Sequence, residues 1–369
     1  MAAWLVLAIG AGPVALQAQD PASATTSDVF RRFADHVVKI QVVESGSSAK
    51  STIGSGFFVG DDGRIVTNYH VVSSVIATPE RYRTEVIDAR GATRAAKVLA
   101  IDVVHDLAVL DAGARGMPHF VLEPVALAQG KRLFSLGHPR DLGLSIVEGT
   151  HNGLLLHTLY PRIHLTGSLN PGMSGGPTID DQGHVVGVNV STAGNQMSFL
   201  VPIDRVIALL AHVPAPGAGA EPPSLAQVGR QLREYQNVYL RDMFDSTTKR
   251  IALGPFMVMT QPAPFFRCWA DASHAHEQAY ERVWHRCTTD NDIYLDEDQS
   301  SGSLSVVHQL VSTRTLNAPR FYALYSRLFA TDDAPSGDEA FVTSWECQTR
   351  NLRHERTTMR TSICLRRYR

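Results

Sequence analysis

The sequence predicts a mainly β chain: a barrel or sandwich of short strands, then a smaller disulfide-bearing α+β domain. Three observations predict it. Between residues 27 and 212, short apolar runs alternate with turn signals such as Gly60-Asp61-Asp62-Gly63 and Asp180-Asp181-Gln182-Gly183. Residues 213–225, beginning Val213-Pro214-Ala215-Pro216-Gly217, have no apolar periodicity and read as a linker. All four cysteines, Cys268, Cys287, Cys347 and Cys364, lie beyond that linker, in a region 226–369 that forms the second domain.

Taken in order, the strands expected of the first region are Val37 to Val43, Gly56 to Val59, Arg64 to Thr67, Ala95 to Ala100, Leu107 to Leu110, Arg132 to Leu136 and Val185 to Val190. Asp204 is placed to cap a closing helix over Val206-Ile207-Ala208-Leu209-Leu210. Beyond the linker, Ser224 with Gln227 has the form of a capping box. It precedes Leu225, Val228, Leu232, Tyr235, Val238 and Tyr239, a helical spacing. Strand-like segments follow at Ile251 to Thr260, Ser303 to Val311 and Ala340 to Trp345.

The chain has 369 residues, 44% hydrophobic and 19% charged, with a formal net charge of −2. Such a balance gives no electrostatic case for nucleic acid as a partner. Residues 1–26 open with an apolar run to about Ala18, the length of a secretory h-region, with small residues at Ala18, or at Ala22 and Ala24, for cleavage. The expectation is a signal peptide and a periplasmic or secreted protein. The positive n-region is missing, so an uncleaved N-terminal membrane anchor is the alternative.

An even cysteine count in an exported chain reads as two disulfides. Of the three possible pairings, the local ones, Cys268 with Cys287 and Cys347 with Cys364, are preferred; each closes a loop whose chain-entropy effect is about 3 kcal/mol. Cys268, His274, His276, His285 and Cys287 have no zinc-ligand spacing, and Asp290-Asn291-Asp292 with Asp296-Glu297-Asp298 lacks the glycine and final glutamate of a calcium loop. No metal and no organic cofactor is expected.

A serine hydroxyl needs a histidine to take its proton and usually a carboxylate to orient that histidine. Thr67-Asn68-Tyr69-His70-Val71-Val72 places His70 just past a strand, Asp106-Leu107-Ala108-Val109-Leu110 places Asp106 at the start of one, and Asn170-Pro171-Gly172-Met173-Ser174-Gly175-Gly176-Pro177 holds Ser174 in a glycine-rich loop. His, Asp, Ser is the order of the chymotrypsin-type triad. With Gly54-Ser55-Gly56-Phe57-Phe58-Val59 and Leu136-Gly137-His138-Pro139, these segments resemble the trypsin-like serine peptidases of the bacterial HtrA (Deg) type, across about half the chain. The resemblance implies two six-stranded barrels with His70, Asp106 and Ser174 in the cleft between them. It further implies an oxyanion hole from the backbone N–H groups of Gly172 and Ser174, and a primary pocket drawing on Ser168, Leu169, Val190, Ser191 and Thr192. Polypeptides would be the substrates; oligomeric state is left open.

Alternatives stand beside these assignments. Asp102 and Asp111 flank the same strand as Asp106, while His105, on the opposite face of an extended segment, reads as structural. Gly172-Met173-Ser174-Gly175-Gly176 also matches the G-x-S-x-G elbow of esterases, but Pro177 and the turn at Asp180 to Gly183 replace the helix that elbow requires. Three departures from the family bear on function. Met173 replaces the usual polar residue before the nucleophile. Ser168 is neutral where trypsins carry an acid, favouring a small or medium apolar side chain in the pocket. No PDZ carboxylate loop is recognisable, Leu253-Gly254-Pro255-Phe256 being the nearest segment. The expected function is an exported serine endopeptidase acting through an acyl-enzyme; the alternatives are a non-catalytic binding or scaffold protein on the same fold and a membrane-tethered stress-sensing protease.

Overall fold

The computed structural model describes residues 24–369 apart from 48, 193, 214–220, 247–248, 274–278, 290–292, 297–298, 302, 331–342, 355–356, 366 and 368–369. The leader or anchor expected at 1–26 therefore lies almost wholly outside the described residues. So do His274, His276, most of the linker and the start of the strand expected at Ala340. Among the described residues no helix is long and apolar enough to cross a membrane.

Helix α1 (Thr26–Phe33) leads into the first barrel: β1 (Val37–Glu44), β2 (Lys50–Val59), β3 (Arg64–Thr67), then helix α2 (Tyr69–Ala77), β4 (Tyr82–Ile87), β5 (Thr93–Asp102) and β6 (Leu107–Asp111). The second barrel follows: β7 (Arg132–Gly137), β8 (Ser145–Leu154), β9 (Ile163–Thr166), β10 (Pro177–Ile179), β11 (Val185–Thr192) and β12 (Met197–Pro202), with α3 (Ile203–Leu210) after it. Each closes on itself, in the order β1-β2-β3-β6-β5-β4 and β10-β11-β12-β9-β8-β7. This is the trypsin-like double barrel, mainly β, that the motifs imply.

Side-chain alternation explains why these strands read as unbroken apolar runs. In β6, Ala108 and Leu110 point into a core with Val38, Ile40 and Ile65, while Leu107 and Val109 point the other way, into a core shared with Phe134 and Val188 of the second barrel. Both faces of the strand are buried, so no polar side is needed. A third core, within the second barrel, packs Leu133, Leu165, Val186 and Leu200 around Met173.

After the linker come α4 (Leu225–Asp245), β13 (Lys249–Leu253), β14 (Phe256–Thr260), β15 (Arg267–Ser273), β16 (Glu281–Thr288), β17 (Ser305–Ser312), α5 (Ala318–Ala330), β18 (Glu346–His354) and β19 (Thr357–Leu365). Two disulfides join Cys268 to Cys287 and Cys347 to Cys364, the local pairing, and the second links residues directly opposite each other on β18 and β19. Two sulfurs bonded to each other are not thiolate ligands, which removes Cys268 and Cys287 from any zinc set. The compact units do not divide at 226. One contains residues 1–249, 259–268 and 287–306; the other gathers Arg250–Val258, Trp269–Arg286 and Val307–Arg369.

Several local expectations need correction. Pro202, not Asp204, precedes α3 as its N-cap and makes no side-chain cap bond; Asp204 sits in the first turn, where its charge complements the helix dipole. Ser224 does cap α4 by position, but its hydroxyl makes no cap bond, so the box with Gln227 is not closed. The segment Ile251 to Thr260 is a hairpin of β13 and β14 rather than one strand, because Gly254 turns the chain at φ +60° and Pro255 has no N–H to give a ladder. Thr343 to Trp345 are irregular, and the strand there begins at Glu346.

The loop after β7 is tied to the first barrel by charge. Asp141 accepts from Lys39 of β1 at 2.7 Å and from Lys50 of β2 at 2.6 Å. These two ammonium donors hold its carboxyl down to about 2 from the ordinary 3.8. A depressed folded-state value means the stabilisation is present above the unfolded value and is lost as pH falls toward the folded one. Urea midpoints measured between about pH 5 and pH 2 should therefore fall more steeply for the wild type than for Asp141→Asn.

Candidate catalytic site

The chain leaves β3 at Thr67, and Asn68, extended at φ −83° and ψ 152°, is the N-cap residue of α2. His70 thus sits in the first turn, where backbone N–H groups have no helical partner. Asp106 supplies one: its Oδ1 accepts from the His70 backbone N–H at 2.9 Å, and its Oδ2 meets His70 Nδ1 at 2.7 Å. A carboxylate only accepts, so Nδ1 carries the proton and Nε2 is left as the basic nitrogen of the ring. Asn68 completes the clasp by donating its side-chain amide to the Asp106 carbonyl at 2.7 Å. His70 is 8% and Asp106 1% exposed, so the pair works in a low dielectric where its electrostatics are strong.

Strand alternation does not aim Asp106. Residues 103–106 form a turn, and Asp106 itself has φ +55°, a left-handed conformation that short polar side chains tolerate. The two alternatives are engaged elsewhere: Asp102 Oδ2 binds His105 Nδ1 at 2.7 Å, and Asp111 pairs with Arg115 at 3.3 Å. Gln231 of α4, which sequence reasoning passed over, braces this turn. Its Oε1 accepts from the Val103 N–H at 2.8 Å and its Nε2 donates to the Ile101 carbonyl at 2.9 Å.

Ser174 lies on a loop built by close backbone approaches. A Cβ on Gly175, at φ +83°, would stand 2.2 Å from the Ser55 carbonyl and 3.0 Å from the Asn68 nitrogen, so only glycine lets this loop approach the residue two before His70. At Gly172, φ +95°, a Cβ would meet the His138 carbonyl at 2.4 Å. The Pro171 carbonyl accepts from the Arg140 N–H at 2.9 Å; in a trans peptide the Gly172 N–H then faces the other way. Among the described residues no acceptor is bonded to the backbone N–H of Gly172 or of Ser174. Ser55 clamps the loop from the first barrel: its hydroxyl donates to the Gly172 carbonyl at 2.7 Å and accepts from the His138 N–H at 2.8 Å, while its backbone N–H donates to the Ser174 carbonyl at 2.8 Å. The Ser174 hydroxyl donates to the Val190 carbonyl at 3.1 Å.

Burial, and secondarily the charge of Lys39, push the His138 imidazole down to about 4, so it stays neutral beside the loop. Met173 is fully buried in the third core. This loop is thus anchored by packing. Met173→Ala should cost about 2–5 kcal/mol of stability, read by denaturant unfolding, with the second barrel as the part weakened.

Of the residues expected to form the pocket, Ser168 is exposed, while Leu169 and Val190 are buried, Leu169 in the same core as Met173. Ser191 and Thr192 pair with Phe199 and Ser198 on β12; their side chains lie outside the described residues.

The two closed barrels are the trypsin-like fold, and residues 54–188 match the family described as the trypsin-like peptidase domain. Within that class the chain is similar to the HtrA and Deg proteins. It is 30% identical over 217 residues to protease Do-like 5, chloroplastic, of Arabidopsis thaliana, 49% of this chain and 66% of that one. It is 31% identical to the mitochondrial serine protease HTRA2 of Bos taurus, over 55% of this chain and 51% of that protein. It is also 31% identical to a probable periplasmic serine endoprotease DegP-like of Halomonas elongata, over 47% of this chain and 37% of that protein. The chain thus spans about one to two thirds of the length of these relatives. A crystal structure of Deg5 matches 49% of this chain and 90% of its own at 29% identity, with a TM-score of 0.43.

Proposed function

We propose that this chain is a serine endopeptidase in which His70, Asp106 and Ser174 form the triad. The observation that carries the reading is the clasp of Asp106 on both the backbone N–H and Nδ1 of His70. That arrangement fixes one tautomer and leaves Nε2 to act on an alcohol. In this reading the Ser174 hydroxyl leaves the Val190 carbonyl by a change of χ1 rotamer and donates to Nε2. Nε2 removes the hydroxyl proton as Oγ bonds to the peptide carbonyl carbon, and Asp106 stabilises the imidazolium that results. The carbonyl oxygen, now an anion, is received by the N–H groups of Gly172 and Ser174, worth about 3 to 4 kcal/mol per donor in comparable enzymes. The imidazolium then returns its proton to the departing amine, and water, activated by the same nitrogen, releases the acyl group.

In this reading residues 27–212 supply the catalytic groups, and 226–369 is an accessory region of which 226–249, 259–268 and 287–306 share their compact unit. The pocket around Ser168, Leu169 and Val190 accepts a small or medium apolar side chain. Export to the periplasm or outside is supported by the two disulfides, which persist in oxidising compartments.

The test is incubation of the full chain with an unfolded polypeptide and identification of new N-termini by mass spectrometry. Cleavage after small or medium apolar residues is the expected outcome. The Val190 bond of Ser174 favours a second reading, a non-catalytic binder, and intact polypeptide after prolonged incubation would support it.

A further inference from the structure

The segment from Cys287 to Val306 does not belong to the family's matched region, yet it is laid against the candidate site within the same compact unit. Its base is fixed three ways. Cys287 is joined to Cys268 and buried with Ala263, Phe265 and Phe266; Leu304 and Val306 pack on the same cluster with Tyr239 and Met243 of α4; and Thr289 and Leu304 exchange hydrogen bonds, N–H to carbonyl at 3.0 Å and N–H to hydroxyl at 2.9 Å. Further along, Ser301 donates its N–H to the Ile293 carbonyl at 2.8 Å and accepts the Ile293 N–H on its hydroxyl at 3.0 Å. Ile293 itself is 4% exposed, in the core that also holds Val104, Tyr160 and Val228. The next residue is thereby held in place.

That residue is Tyr294. Its ring lies 5.2 Å from the His70 ring, centroid to centroid, tilted by 44°, and it packs against the apolar cluster that contains Leu107 and Val190. Two members of that cluster flank the site directly: Leu107 follows Asp106, and Val190 supplies the carbonyl bonded to Ser174.

Asp106 occupies the Nδ1 side of the imidazole, so a peptide whose carbonyl reaches Ser174 must run its chain past the rest of that ring. A substrate side chain beside the scissile bond then shares its space with Tyr294. A rigid aromatic at such a position sets the volume available, and a difference of a few heavy atoms against a fixed wall changes kcat/KM by one to two orders of magnitude.

We propose that Tyr294 is a specificity-determining wall of the substrate groove, limiting the size of the substrate side chain that crosses the His70 imidazole. This inference rests on the serine endopeptidase reading, and the experiment separates the two. The full chain, Tyr294→Ala, Tyr294→Leu and Tyr294→Phe are first titrated with a fluorophosphonate, which counts competent serines and normalises every rate to them. They are then assayed on fluorogenic peptides varied in size at each position flanking the cleaved bond.

Tyr294→Ala is expected to raise kcat/KM about tenfold for large side chains at one position, through KM, with small side chains unchanged. Tyr294→Leu should fall between, and Tyr294→Phe should match the wild type. An unlabelled wild type overturns the peptidase reading and this inference with it. A labelled wild type whose size preference survives both Tyr294→Ala and Tyr294→Leu overturns the inference alone. A rise equal for all side chains does so too, because the ring would then act as a cover rather than a wall.

Discussion

Ser174→Ala is expected to lower kcat on a peptide substrate by roughly a million-fold, and His70→Ala by a similar factor. The two losses should not add. Without the hydroxyl there is nothing for Nε2 to deprotonate; without the imidazole the hydroxyl keeps its proton. What should survive in either variant is the proposed oxyanion hole and substrate binding, which together leave about 10³ to 10⁴ over water in enzymes of this chemistry. The double variant should therefore be about as slow as either single one, while KM changes little. Purified proteins assayed at matched concentration, with unfolding curves to establish equal folding, give the comparison. A double variant far slower than both singles would show that the residues act separately.

Asp106→Asn should reduce kcat by about 10⁴. An asparagine amide presents a donor as well as an acceptor, so its NH₂ group pairs with Nδ1 as a lone pair and forces the proton onto Nε2, the wrong tautomer for a base. The carbonyl oxygen of the new side chain still accepts the His70 backbone N–H, and the start of α2 should hold. Loss of rate with little loss of stability is thus the expected signature. Asp102→Asn is the internal comparison: Asp102 is bonded to His105, and its replacement should leave kcat within about tenfold. If Asp102→Asn abolished turnover and Asp106→Asn did not, the orienting carboxylate would be Asp102.

The barrels were legible where the physics is local. The strands β1, β3, β6, β7 and the stretch Val185–Val190 of β11 bury both faces, and their apolar runs, β-branched in β1, β3 and β11, announce it. The strands passed over have weak local signals. Pro177–Ile179 and Ile163–Thr166 are held mainly by pairing with neighbours, and Ser145–Leu154 is polar along half its length. Helix α2, Tyr69–Ala77, runs through Val71, Val72 and Val75, residues that favour strands; the packing of Tyr69, Val71, Val72 and Ile76 on the first barrel overrides that preference.

At the site, spacing and chemistry pointed to His70 and Asp106, which the fold joins, and to the glycine loop, because a serine–histidine–carboxylate set admits few residue types. How Asp106 is aimed was not legible, since the turn at 103–106, left-handed at Asp106 alone, has no glycine or proline to mark it. Ser55 and Asn68 lie inside the matching segments, which say nothing of the bonds they make, and Gln231 and Tyr294 carry no motif. Asn68 had the nearest thing to a signal, a cap-type residue between a strand and a histidine. Gln231 and Tyr294 reach the site only through tertiary packing of segments distant in the chain.

In the proposed mechanism the His70–Asp106 pair makes the Ser174 hydroxyl a nucleophile. Treating the folded protein with a fluorophosphonate and locating the adduct by peptide mass spectrometry tests it most directly. A single adduct on Ser174, abolished in His70→Ala, is the predicted result. A folded protein whose Ser174 stays unmodified, or is modified equally well without the imidazole, would contradict the account.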